Sequence, residues 1–82
     1  MALSENRNSI LDSILTELDR AYSKHGRELW GRHEFYAILL EEVDELWKEI
    51  KADSDQEKVK KEAIQVAAMV IRYLETGDRY RL

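Results

Sequence analysis

The chain has no cysteine, no proline and only three glycines among its 82 residues. Without cysteine there is no disulfide framework, no thiol nucleophile and no Cys-based zinc site. The shortage of proline and glycine argues against an all-β chain with many turns. No apolar run approaches the roughly 20 residues that cross a bilayer; the longest lie at 35–40 and 66–71. The opening residues, Met1-Ala2-Leu3-Ser4-Glu5, lack a basic region followed by an apolar stretch. No signal peptide is therefore expected, and the cytoplasm is the default location. Basic residues number 13 against 17 acidic ones, a formal charge of −4. That balance speaks against a nucleic-acid groove, although not against an anion held through a metal ion.

What is present is charge (37%) and hydrophobic side chains (44%) in one 9.7 kDa chain, enough for a single domain over 1–82. The apolar residues recur at steps of three and four. Ile10, Ile14, Leu18 and Ala21 mark a first helix over about 9–24, which His25-Gly26 would end. Phe35, Leu39, Val43, Leu46 and Ile50 mark a second over about 32–52. Val59, Ala63, Val66, Ala67, Val70 and Leu74 mark a third over about 54–76, ended by Gly77, with a tail over 77–82. Ser54 and Glu57 have the spacing of a capping box at the start of the third helix. The stretch between Gly26 and Gly31, carrying Trp30, reads as a loop.

The fold class is therefore all-α, a three-helix chain in which a short connection makes the second and third helices antiparallel. Trp47, Ile38, Leu40, Ile64, Met69 and Ile71 lie off the main stripes. A helix that is apolar around much of its girth needs several neighbours, and so small a domain buries only about 60% of its chain's surface. Homo-oligomerisation completing a four-helix-type bundle is the expectation, as a homodimer or homotetramer.

The segment Glu41-Glu42-Val43-Asp44-Glu45 carries the chemistry. Residues three and four apart share a helix face. Glu42 and Glu45 thus sit together at the edge of the apolar stripe, with Glu49 continuing the row. Glu62 and Gln65 repeat this spacing on the third helix, and antiparallel packing would bring the two pairs together. Two carboxylates ~6 Å apart at an effective dielectric near 20 repel by roughly 3 kcal/mol. Several of them call for a cation or a proton. An all-oxygen set suits Mg²⁺, with Mn²⁺ as an alternative, and Mg²⁺ brings phosphates with it. Against this stands the plain alternative that glutamate-rich helices present solvated faces. A di-iron carboxylate bundle would need Glu-x-x-His pairs, and neither His25 nor His33 follows a glutamate at that spacing.

At these residues the chain resembles the MazG-like all-α nucleoside triphosphate pyrophosphohydrolases, whose pattern is E-E-x-x-E on one helix and E-x-x-D on the next. Here the first half is Glu41-Glu42-Val43-Asp44-Glu45. The second is Glu62-Ala63-Ile64-Gln65, with glutamine in place of aspartate. The resemblance implies Mg²⁺-dependent hydrolysis of (deoxy)nucleoside triphosphates to the monophosphate and pyrophosphate by a helical dimer or tetramer. It implies Glu42, Glu45 and Glu62 as metal ligands, with Gln65 in the fourth place. Glu41 and Glu45 are then the candidates for positioning the attacking water. Trp47, Lys48 and Lys61 are candidate substrate contacts, a base on the indole and phosphates on the ammonium groups. Each has an ordinary alternative as an interface aromatic or a solvated lysine. The rival function is a non-catalytic helical interaction or regulatory protein that keeps the bundle with a degenerate site.

Overall fold

The computed structural model describes residues 6–26 and 31–77. Trp30 and the tail from Asp78 to Leu82, on which sequence expectations fell, lie outside the described residues. Three helices account for nearly all of the rest: α1 (Arg7–His25), α2 (Arg32–Lys51) and α3 (Gln56–Thr76).

Each helix end has a local cause. Asn6 caps α1, its side chain accepting from the Ser9 N–H at 2.8 Å. Gly26, at φ 78°, closes that helix with its own N–H donating to the Tyr22 carbonyl. Gly77, at φ 69°, ends α3 in the same way on Tyr73. The α2–α3 connection occupies 52–55 and turns at Asp53, whose φ of 54° makes it the one non-glycine residue in the left-handed region among those described. Short polar side chains tolerate that conformation best after glycine. The cap of α3 is Asp55, which accepts from the Lys58 N–H at 3.0 Å. It replaces the Ser54–Glu57 box and shortens the helix by two residues from its expected start. His33 is exposed, and α2 begins at Gly31 without a side-chain cap.

Spatial order differs from chain order. α3 lies in the middle, with α1 on one flank and α2 on the other, and α1 and α2 do not pack on each other among the described residues. Phe35 stacks on Tyr73 while Glu42 lies beside Gln65, so α2 and α3 run antiparallel as expected. Tyr22 bonds to Glu75, and Lys61 acts electrostatically on Glu17, so α1 and α3 run parallel. The result is a slab measuring 44 × 28 × 19 Å.

The interior is thin. Leu18, Ala68 and Met69 are its buried apolar residues, joined by Arg72 at 6% exposure. Arg72 donates through Nη2 to the Gly26 carbonyl at 3.3 Å and so ties α3 to the end of α1. α2 contributes no fully buried residue. Its expected stripe is split: Phe35, Leu39 and Leu46 turn toward α3 with Ile38 and Glu42, whereas Val43 and Ile50 face outward. With Tyr36, Leu40 and Trp47 they form a second stripe at steps of four and three, each exposed by 40% or more. No described helix is long and apolar enough to cross a membrane.

Candidate functional site

The antiparallel register sets Glu42 of α2 opposite Glu62 and Gln65 of α3. With its oxygen inward, the Gln65 amide would face only acceptors. Turned to satisfy its surroundings, it donates from one nitrogen to Glu42 Oε2 at 2.8 Å and to Glu62 Oε2 at 3.2 Å. An amide NH₂ has two hydrogens, one for each carboxylate. The repulsion expected between these acids is thus met by a neutral donor from within the chain.

Partial burial is the largest influence raising the pKa of Glu42 above its ordinary value, followed by the charges of Glu62, Glu17, Glu45 and Glu41. Glu17 comes from α1 and was not among the sequence candidates. Its own pKa is held below the usual value, first by a hydrogen bond from Arg20 and, more weakly, by the charges of Arg20 and Lys61, against the opposing effect of burial. Arg20 grips Glu17 through two nitrogens. Glu17, Arg20, His25, Glu42, Gln65 and Arg72 line a cavity of about 100 Å³ between the flanking helices, with α3 as its floor. The sequence signal for this α1 contribution was the Glu17–Arg20 pair at i, i+3 astride Leu18. Without knowing that α1 packs on α3, nothing distinguished it from a surface ion pair.

The remaining candidates are distributed around this centre. Glu45 lies one turn along α2, more than half exposed, and pairs with Lys48 at 3.2 Å. With Glu41, Glu42, Asp44, Trp47, Lys48 and Lys51 it lines a shallow cleft of about 440 Å³. Lys51 stands over the Trp47 ring at 5.5 Å. Lys61 lies apart from that group, in a cleft between α1 and α3 beside Asp12, Glu17 and Glu57. Glu49 Oε2 is shielded from solvent and accepts no hydrogen bond among the described residues.

Among the described residues no three histidine or carboxylate side chains gather as a metal-binding group. The donor set that does converge is Glu42, Glu62 and Gln65. Turning the Gln65 amide over would present three oxygens to one point. Two carboxylates and an amide carbonyl fit a hard cation that keeps several of its waters.

No family model matches this chain, and no curated protein or solved structure matches it significantly.

Proposed function

We propose that this chain is a Mg²⁺-dependent (Mn²⁺ as an alternative) pyrophosphohydrolase of the MazG-like kind, cleaving (deoxy)nucleoside triphosphates to the monophosphate and pyrophosphate in the cytoplasm as a homodimer or homotetramer. The observation that carries this reading is the meeting of Glu42 with Glu62 and Gln65 across two antiparallel helices, beside a cleft bearing further carboxylates, an indole and two lysines.

When bound, the cation supplies neutralisation of phosphate oxygens and polarisation of the phosphoryl group. Glu42 and Glu62 are its anionic ligands in this reading, and Gln65 Oε1 is the neutral one. Glu45 joins them by giving up Lys48, an exposed ion pair whose loss costs ~0–1 kcal/mol. Glu41 and Glu45 flank Glu42 and are the groups to orient a water for in-line attack. Trp47 offers a face for a base, and Lys48 stands at the same cleft for a phosphate. Lys61, placed on the other flank of α3, serves instead to balance Glu17.

The assembly has separate support. Tyr36, Leu40, Val43, Trp47 and Ile50 leave an exposed apolar strip along α2, the kind of surface that a second copy would cover.

One observation favours the second reading, a bundle that binds partners without turnover: Gln65 already satisfies the acidic pair with no cation. Pyrophosphate release over the common NTPs and dNTPs, with Mg²⁺ and with Mn²⁺, separates the two. Turnover lost in Glu42→Ala and Glu62→Ala supports the enzyme. Silence across the panel, together with a Tm that Mg²⁺ leaves unchanged, supports the binding protein.

A further inference from the structure

The cavity that holds Glu17, Arg20, Glu42 and Gln65 opens on one broad side of the slab. The opposite side is apolar across all three helices. The outward stripe of α2 lies about 80–160° around that helix from Glu42, at about 100° per residue. On α3, Val70 and Leu74 lie about 140–180° around from Gln65, in one row with the exposed Ala63 and half-exposed Ala67. On α1, Leu11 and Leu15 lie about 120–160° around from Glu17. The rotation passes through the α3-facing side in both flanking helices, because α1 runs parallel to α3 and α2 antiparallel to it on the other flank. Of the ten large apolar side chains exposed among the described residues, nine share this face. The tenth, Ile10, lies within about 20° of Glu17 around α1, on the cavity side.

We infer that this three-helix apolar face is the contact surface between two copies of the chain, packed slab on slab, with the polar cavity left open on the outside of each copy. Its size fits. Three helices of about 30 Å, set 8–10 Å apart, present roughly 800 Å², which is what each partner contributes to a standard interface. The need is permanent, since only Leu18, Ala68 and Met69 are buried apolar residues within one chain. A second copy is a partner always present, and apolar interfaces of this breadth are characteristic of obligate homodimers. The charges favour self-association over a lipid surface. The rim carries Asp12, Asp19 and Asp44 against Arg32 and Lys51, and the whole chain is at −4. A helix face that lies on anionic headgroups is bordered by lysine and arginine instead. The inference gives the assembly a geometry and is independent of any cation. It also makes the candidate site complete within one chain.

The test is the mass of the full chain at micromolar concentration, by sedimentation. Wild type should run at twice the 9.7 kDa of one chain. Leu15→Glu on α1 and Leu74→Glu on α3 change residues that are 50% and 72% exposed in a single chain. Each should raise the dimer dissociation constant at least about tenfold while helix content persists. Leu11→Glu replaces Leu15→Glu should that chain fail to fold. Ile10→Glu, at a site 41% exposed, should leave the constant within about twofold. Wild type at the single-chain mass overturns the inference, and binding of that single chain to neutral phosphatidylcholine vesicles would assign the face to lipid. A dimer that withstands both the α1 and α3 variants also overturns it and confines any contact to α2. Equal weakening by Ile10→Glu overturns it as well, because the effect would then not belong to this face. None of these outcomes touches the pyrophosphohydrolase reading, which the turnover assay decides separately.

Discussion

The ring of Phe35 on α2 lies over that of Tyr73 on α3, with centroids 4.2 Å apart and planes 15° from parallel. Seven residues further along α2, Glu42 meets Gln65, eight residues back along α3. The aromatic pair therefore fixes the register that sets the carboxylates opposite each other. Phe35→Ala should cost about 2 kcal/mol, less than a fully buried phenylalanine because both rings are half-exposed. Urea unfolding measures the loss. In the surviving folded fraction the Gln65 amide should exchange faster, because its helix loses the clamp. A change within about 0.5 kcal/mol would mean that the stack does not hold the register.

Glu42 and Glu17 give the fold opposing responses to pH. The folded state raises the Glu42 pKa, chiefly by burial and then by Glu62, above the ordinary 4.5. Its contribution is therefore fully present below that value and is lost as pH rises through the folded-state pKa. The folded state lowers the Glu17 pKa, chiefly through the Arg20 hydrogen bond. That contribution is present above 4.5 and is lost as pH falls through the lowered value. Glu42→Gln keeps an acceptor for Gln65 and removes the first response alone. The variant and wild type should melt together in acid, with the variant becoming the more stable as pH rises toward neutrality. A Tm difference that does not change with pH would show that Glu42 carries no such penalty.

The start of α3 separates what pattern alone indicated from what the chain does. Ser54-Asp55-Gln56-Glu57 offers two adjacent caps, and the box reading selects the serine. The backbone selects Asp55, because the turn through Asp53 brings its carboxylate to the Lys58 N–H. Asp55→Ala should destabilise by ~1 kcal/mol, and Ser54→Ala by only a few tenths. Thermal unfolding of the two variants decides between them, and the reverse ranking would restore the capping box.

Helix number, glycine stops and antiparallel α2–α3 packing were legible because each has a local cause: period, a left-handed residue, a short connection. The pairing of Glu42 with Glu62 and Gln65 followed from those three facts. The position of α1 did not, since nothing in its stripe says whether Leu18 meets α2 or α3. With it went Glu17 and Arg20, which belong to the site only because α1 flanks α3. The role of Gln65 was hidden for another reason. As a letter it is an uncharged side chain among acids; only the distances to two carboxylates assign it as a double donor. The face of α2 was misjudged because the helix has apolar residues on two sides, and the half-buried Glu42 turns inward where Val43 was expected.

The outward stripe of α2 carries the last prediction. Tyr36, Leu40, Val43, Trp47 and Ile50 follow the alternating four-and-three spacing of a helix–helix seam. Their exposure, from 40% at Val43 to 62% at Tyr36, leaves a continuous apolar strip on a chain with little interior of its own. If a second copy covers this strip, wild type should sediment as a multiple of 9.7 kDa at micromolar concentration. Val43→Glu, at the centre of the stripe, should then shift the chain toward the single-chain mass. In an isolated chain the same change is a surface substitution and should move stability by no more than about 0.5 kcal/mol. A loss of several kcal/mol that depends on protein concentration is the signature of an interface. Wild type sedimenting as a single chain, with Val43→Glu unfolding at the same urea concentration, would place the strip outside any self-association.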